Sequence, residues 1–206
     1  MSIKAVIFDL DGTITKPYFD FDAIRLEMGL DKDAGPVLEA MERMTPSERL
    51  RTQRILHYHE QKALEESQLN ETAKETLIRL HEMGIPIGIL TRNTKDNAYA
   101  IARMHGLLFD AVVGREDGPV KPDGFGVIYL CKHFGVKPQE TLLVGDYLFD
   151  LQCAKSAGAI AILLTNHKKA DEFEKYADYR IEKISGVIDI IENENKCLVK
   201  GNSNEY

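Results

Sequence analysis

The stretch AVIFDLDGT (residues 5–13) decides the reading of this chain. Its apolar run, AVIF, proceeds without polar alternation and stops at Asp9, with a second aspartate at 11 and a glycine at 12. Such a run is what a strand buried on both faces looks like, and strands of that kind belong to parallel sheets. The pattern returns along the chain. PIGIL (86–90) stops at Thr91, TLLVG (141–145) at Asp146 and AIAILL (159–164) at Thr165, while a weaker DAVVG (110–114) precedes Arg115. Helical patterns lie between these runs. Ala73, Leu77 and Leu80 line one face of a segment closed by Gly84; Leu148, Leu151 and Ala154 line another closed by Gly158. Strands alternating with helices predict a doubly wound, Rossmann-like α/β core around a parallel sheet.

One connection breaks the alternation. From Ile14 to about Glu75 there is no strand pattern, only helix-like segments over 21–29, 36–44 and 46–69. Thr45 is placed to cap the third segment, with Pro46 where a first-turn proline is tolerated. The expectation is an inserted helical cap over 14–75, between core segments 1–13 and 76–206. NENKCLVKGNSNEY (193–206) has no periodicity and is expected to be a loose tail.

Composition narrows the classes. Across 206 residues, 26 basic against 33 acidic side chains give a formal net charge of −7. A surface of that sign repels a polyphosphate backbone, which speaks against nucleic acid as the partner. Three cysteines (131, 153 and 197) form no C-x-x-C pair, so neither a disulfide framework nor a zinc site is indicated. The apolar stretch AGAIAILLTN (157–166) is about half of the roughly 20 residues a membrane span needs. A cytoplasmic protein without membrane contact is expected.

In an open α/β sheet, ligands bind outside the carboxyl ends of the strands. The polar stops therefore aim at one crevice. Asp9 and Asp11, two apart on extended backbone, can present both carboxylates on one side. Asp146 ends a later strand, and Asp150 follows one helical turn on, so this pair can converge too. Lys121, beside Pro122 in a glycine-rich loop, offers a cation. Gathered carboxylates need positive charge among them. Carboxylates with open water positions describe a Mg²⁺ site, and no histidine or cysteine cluster competes for a softer metal.

These residues carry a family resemblance. DLDGT (9–13) resembles the first motif of the haloacid dehalogenase-like hydrolases, ILTRN (89–93) the second, VKPD (120–123) the third and VGDYLFD (144–150) the fourth. Order and spacing are similar from Asp9 to Asp150, and the inserted helices lie where that family places a helical cap. Within the superfamily the chain looks most like the small phosphatases of the phosphoglycolate-phosphatase-like branch. The resemblance implies a strand order of 5-4-1-2-3 and a mobile cap over the core. Dehalogenating and phosphonate-cleaving members lack the second aspartate of the first motif, so Asp11 argues against both. Ion-pump relatives need transmembrane helices, which this chain does not have. A sugar phosphomutase of the same branch keeps both aspartates and stays open as an alternative.

By the same resemblance, Asp9 is the nucleophile on phosphorus and Asp11 the general acid and base. Mg²⁺ would be held by Asp9, the Asp11 carbonyl and Asp146, with Asp150 orienting its waters or Asp146. The Thr91 hydroxyl, the Arg92 amide and the Lys121 ammonium would bind the transferring oxygens. The partner is a small-molecule phosphate ester, with phosphoglycolate, sugar phosphates and nucleoside monophosphates all open, as is monomer against homodimer.

In the insert, Arg25 and Arg43 could grip a second anionic group, and Lys16 and Tyr18 could line an entrance. Met28, Met41 and Met44 read as packing. His57 and His59, two apart on a helix, do not face each other and make poor metal ligands. A phosphorylation-switched binding module, like a bacterial receiver domain, is a remote alternative. Receiver domains take the phosphoryl group on the third strand and carry no helical insert after the first.

Overall fold

The computed structural model describes residues 2–201, with backbone only for 197–201. Two compact units emerge: residues 1–16 with 68–206, and residues 17–67.

The first unit is built on six strands: β1 (Ala5–Phe8), β2 (Ile87–Leu90), β3 (Ala111–Val113), β4 (Thr141–Gly145), β5 (Ile160–Leu164) and β6 (Tyr179–Ile181). They hydrogen-bond in the order β3-β2-β1-β4-β5-β6, and every pair is parallel. The order expected from the resemblance is thus present, extended by β6 at one edge. That sixth strand left little trace in the sequence because its half-exposed Tyr179 and exposed Arg180 leave only Ile181 turned inward. The central strands β1, β2 and β4 are buried at every residue, which is why their sequences do not alternate.

Between the strands run α4 (Ala73–Glu82), α5 (Lys95–His105), α6 (Phe125–Phe134), α7 (Leu148–Ala157) and a short α8 (Ala170–Phe173), and α9 (Gly186–Gly201) closes the chain. One face of the sheet buries Ile7, Leu90, Leu143 and Leu163 against Val127 and Leu130 of α6 and Leu151 and Ala154 of α7. On the other side α4 packs on β2 and α9. The doubly wound architecture follows: successive strand residues point to opposite faces, and each face finds a helical layer.

The expected loose tail from residue 193 is corrected by α9, which continues to Gly201. Val187 and Ile191 anchor this helix in the core, Glu194 accepts from the Tyr179 hydroxyl, and Asn195 Oδ1 accepts from the Ile3 backbone N–H at 2.8 Å. Those anchors come from distant parts of the chain, so local periodicity did not reveal them. Residues 202–206 of the expected tail lie outside the described residues.

The second unit comprises α1 (Phe21–Met28), α2 (Val37–Glu42) and α3 (Pro46–Glu65) around Ile24, Met28, Val37, Met41 and Leu56. Thr45 and Glu48 form a capping box at the start of α3, with Pro46 as its first residue. Met28 and Met41 are buried there and Met44 packs beside them. The unit is narrower than the expected 14–75. Residues 14–16 and 68–70 pair with each other, through Lys16 N–H to the Gln68 carbonyl (2.8 Å) and Asn70 N–H to the Ile14 carbonyl (3.0 Å), and α4 belongs to the first unit. The helix patterns alone could not separate α4 from the insert; its partner strand does.

Candidate active site

The register brings the polar stops together. Phe8 lies opposite Ile89 on β2 and Val144 on β4, so Asp9, Thr91 and Asp146 emerge on one rim of the sheet. Asp9 continues the ladder for one more bond, its N–H donating to the Val144 carbonyl at 2.9 Å. Gly12, at φ +96°, then folds the chain back. A Cβ on it would stand 2.6 Å from Asp146 Oδ2, so both the conformation and the close approach require glycine. Asp150 sits in the first turn of α7, where its Oδ2 accepts from the Tyr147 N–H at 3.1 Å.

Asp9, Asp146 and Asp150 are all buried, and their carboxylates offer oxygens within 4.8 Å of one another. The Lys121 ammonium, 3% exposed, stands between two of them, 2.5 Å from Asp9 Oδ1 and 2.6 Å from Asp150 Oδ1. Burial pushes the Asp9 carboxyl up to about 7, against the pull of the Lys121 charge. Burial likewise lifts Asp146 to about 8, and the charges of Asp9 and Asp150 add to it. Burial also opposes the charge of Lys121, but Asp150 and Asp9 more than offset this and hold the ammonium above its ordinary value. Three ionised carboxylates against one ammonium leave two negative charges in a desolvated place. Such a set is unstable without a divalent cation or bound protons. The donors are all oxygen, and among the described residues no histidine or cysteine joins them, which suits a hard ion.

The other expected residues fall as follows. Thr91 is buried, and its Oγ1 accepts from the Asn93 N–H at 2.9 Å. Arg92 was expected to act through its amide. Its guanidinium also has work, donating to the Lys121 carbonyl and lying 5.0 Å over the Phe149 ring. Asp11 is half-buried and accepts from Asn93 Nδ2 at 3.2 Å. Arg25 belongs to the second unit, where its guanidinium donates to Asp22 Oδ1 (2.6 Å) and the Gly35 carbonyl (3.3 Å); its observed bonds are internal. Arg43 likewise donates to the Ala34 carbonyl at 3.0 Å. Lys16 is exposed, with its ammonium 3.3 Å from Gln68 Oε1, and the exposed Tyr18 ring meets Phe19 edge-on. His59 faces Glu27 at 2.7 Å.

Four residues that sequence reading did not single out complete the surroundings. The buried Thr13 hydroxyl lies 3.5 Å from Asp9 Oδ2 and 3.4 Å from Asp146 Oδ1. Asn93 reaches Asp11. Asn70 Nδ2 lies 3.0, 2.7 and 3.1 Å from the carbonyls of Gly12, Thr13 and Thr15, and Asn166 Nδ2 donates to the Gly12 carbonyl at 2.6 Å. Asn166 lies one residue past Thr165, the polar stop of the β5 run, so the signal that exposed Asp9 and Asp146 marked its neighbour. Asn70 had no such signal.

Comparison with known proteins agrees with this geometry. A family model for haloacid dehalogenase-like hydrolases matches residues 3–158. An uncharacterized hydrolase of Saccharomyces cerevisiae is 30% identical over 203 residues, covering 94% of this chain and 93% of its own. A phosphoglycolate phosphatase of Chromobacterium violaceum is 28% identical over 217 residues, covering 93% and 97%. Among solved structures, a hydrolase from Pseudomonas syringae superposes with a TM-score of 0.78 at 19% identity, over 92% of this chain and 98% of that one. With the four motifs on one rim of the expected sheet and the family model spanning them all, the chain belongs to the haloacid dehalogenase-like hydrolases.

Proposed function

We propose that this hydrolase is a Mg²⁺-dependent phosphatase acting on a small-molecule phosphomonoester through an aspartyl-phosphate on Asp9. The observation that carries the reading is the buried Lys121 ammonium held between Asp9 and Asp150, with Asp146 completing a three-carboxylate set beside it. The phosphatase relatives support the substrate class. Among the described residues no helix is long and apolar enough to cross a membrane, and Cys131 and Cys153 are buried free thiols; both suit the cytoplasmic location we assign.

Asp9, Asp146 and the Asp11 carbonyl would hold Mg²⁺, with Asp150 alongside. When bound, the ion supplies positive charge that screens the nucleophile from its anionic target. The protein's own residues do the rest. An Asp9 oxygen attacks phosphorus in line; the P–O bond to the alcohol breaks as Asp11 delivers its proton to the departing oxygen. Water then attacks the aspartyl-phosphate, Asp11 takes a proton from it, and inorganic phosphate leaves with Asp9 restored. Lys121, fixed by two carboxylates, and Thr91 Oγ1 stand where charge develops on the transferring oxygens.

The test is phosphate release across a panel of alkyl phosphates (phosphoglycolate, glucose 6-phosphate, glycerol 2-phosphate, nucleoside monophosphates) with and without Mg²⁺. Release by the wild-type chain, and none by a folded Asp9→Asn variant, is expected. Activity retained in that variant would falsify the assigned nucleophile.

A further inference from the structure

The loop after β2 carries a hydrogen-bond relay that ends on Asp11. Asn93 is 5% exposed, and its Oδ1 accepts from the Thr94 backbone N–H and from Asn97 Nδ2, each at 2.8 Å. A backbone N–H can only donate, so the amide oxygen of Asn93 must face Thr94. That leaves its Nδ2 turned toward Asp11, 3.2 Å from Oδ2. The orientation of this amide is therefore determined by its partners rather than free to flip.

The rest of the residue is held as firmly. The Asn93 N–H donates to Thr91 Oγ1 at 2.9 Å, and its carbonyl accepts from the Arg115 N–H at 3.0 Å. Asn97, 6% exposed, sits in the first turn of α5, whose capping residue Thr94 accepts from the Asn97 N–H at 3.3 Å. The relay thus runs from a helix terminus to the carboxyl two residues beyond Asp9. Proton transfer needs that carboxyl within hydrogen-bond reach of one oxygen in a stated direction, and small misplacements are costly.

Resting on the phosphatase reading above, we propose that Asn93, and behind it Asn97, are positioning residues that orient Asp11 for proton delivery to the leaving group. The prediction concerns leaving-group chemistry. An alkyl ester departs as a strongly basic alkoxide and needs the proton; p-nitrophenyl phosphate departs as a weakly basic phenolate and does not.

The experiment compares kcat/KM, which reports the step that forms the aspartyl-phosphate, for the panel's alkyl esters and for p-nitrophenyl phosphate. Asn93→Asp replaces the donor by an acceptor of equal size facing Asp11. It should lose about tenfold or more on alkyl esters and less than about threefold on the nitrophenyl ester. Asn97→Ala, which removes the Nδ2 donor to Asn93 Oδ1, should show the same selective loss at smaller size. It carries the test if Asn93→Asp does not fold. Equal losses on both ester types, or no loss on either, would overturn the proposal. A wild-type chain that releases phosphate from neither ester type overturns the phosphatase reading instead, and is told apart by needing no variant.

Discussion

Replacing Lys121 by Met keeps most of the length of the side chain, one atom short, and removes the cation that stands 2.5 Å from Asp9 and 2.6 Å from Asp150. Taking one partner out of a buried ion pair costs about 3–5 kcal/mol, because the charge left behind has neither water nor counter-ion. At roughly 2–4 °C per kcal/mol for a chain of this size, the melting temperature without metal should fall by about 10 °C. The loss should depend on pH with a definite sign. Asp9 already stands raised from 3.8 to about 7 by burial, and the ammonium is what restrains it. A carboxyl raised in the folded state contributes stability below its unfolded pKa and loses it as pH rises through the folded value. Without Lys121 the folded Asp9 value climbs further. The gap between wild type and variant should therefore be small near pH 4 and widest above about pH 7. The assay is thermal or urea unfolding in chelator across that range, beside phosphate release with Mg²⁺ present. Release should fall by about 100-fold or more, since a positioned charge on the transferring oxygens is lost. A variant as stable as wild type at high pH, or a gap that does not widen, would refute the account of Lys121 as the buried counter-ion.

The same carboxylates predict how metal affects stability. With Asp9 raised to about 7 and Asp146 to about 8, Mg²⁺ must displace protons at low pH, so its stabilisation should grow as pH rises from about 6 to 8. A saturating dose should contribute on the order of 2–3 kcal/mol at the upper end and clearly less at the lower, read as a thermal shift. Equal shifts at both ends would count against these carboxylates as the ligands. Gly12→Ala forces a side chain into φ +96° and sets its Cβ 2.6 Å from Asp146 Oδ2. It should cost about 1–3 kcal/mol by urea unfolding and reduce Mg²⁺-dependent release, because the carboxylate must move. An unaltered variant would show that this approach is not needed.

Much of the site is legible in the sequence. Asp9, Thr91 and Asp146 each end an apolar run, and strands buried on both faces leave a polar residue only where they reach the rim. Asp150 was readable by its i+4 spacing from Asp146. What stayed hidden was cross-chain. Asn70 reaches three carbonyls of the 12–15 turn from a position with no pattern of its own, and Asn93 is identified only by the donors around it. The boundaries of the insert and the extent of α9 are not legible locally for the same reason: their partners lie far away in sequence.

By itself, the sequence determined the fold class, the order of chemistry-bearing residues and the family, because burial on two faces and glycine at a tight turn constrain residue type locally. Tertiary structure alone decided that Lys121 stands between Asp9 and Asp150, and that the guanidinium of Arg25 is engaged by Asp22 and Gly35. It also decided that Asn93 faces Asp11. A charge or an amide in the sequence names a capability, and only the distances to its partners determine how that capability is used.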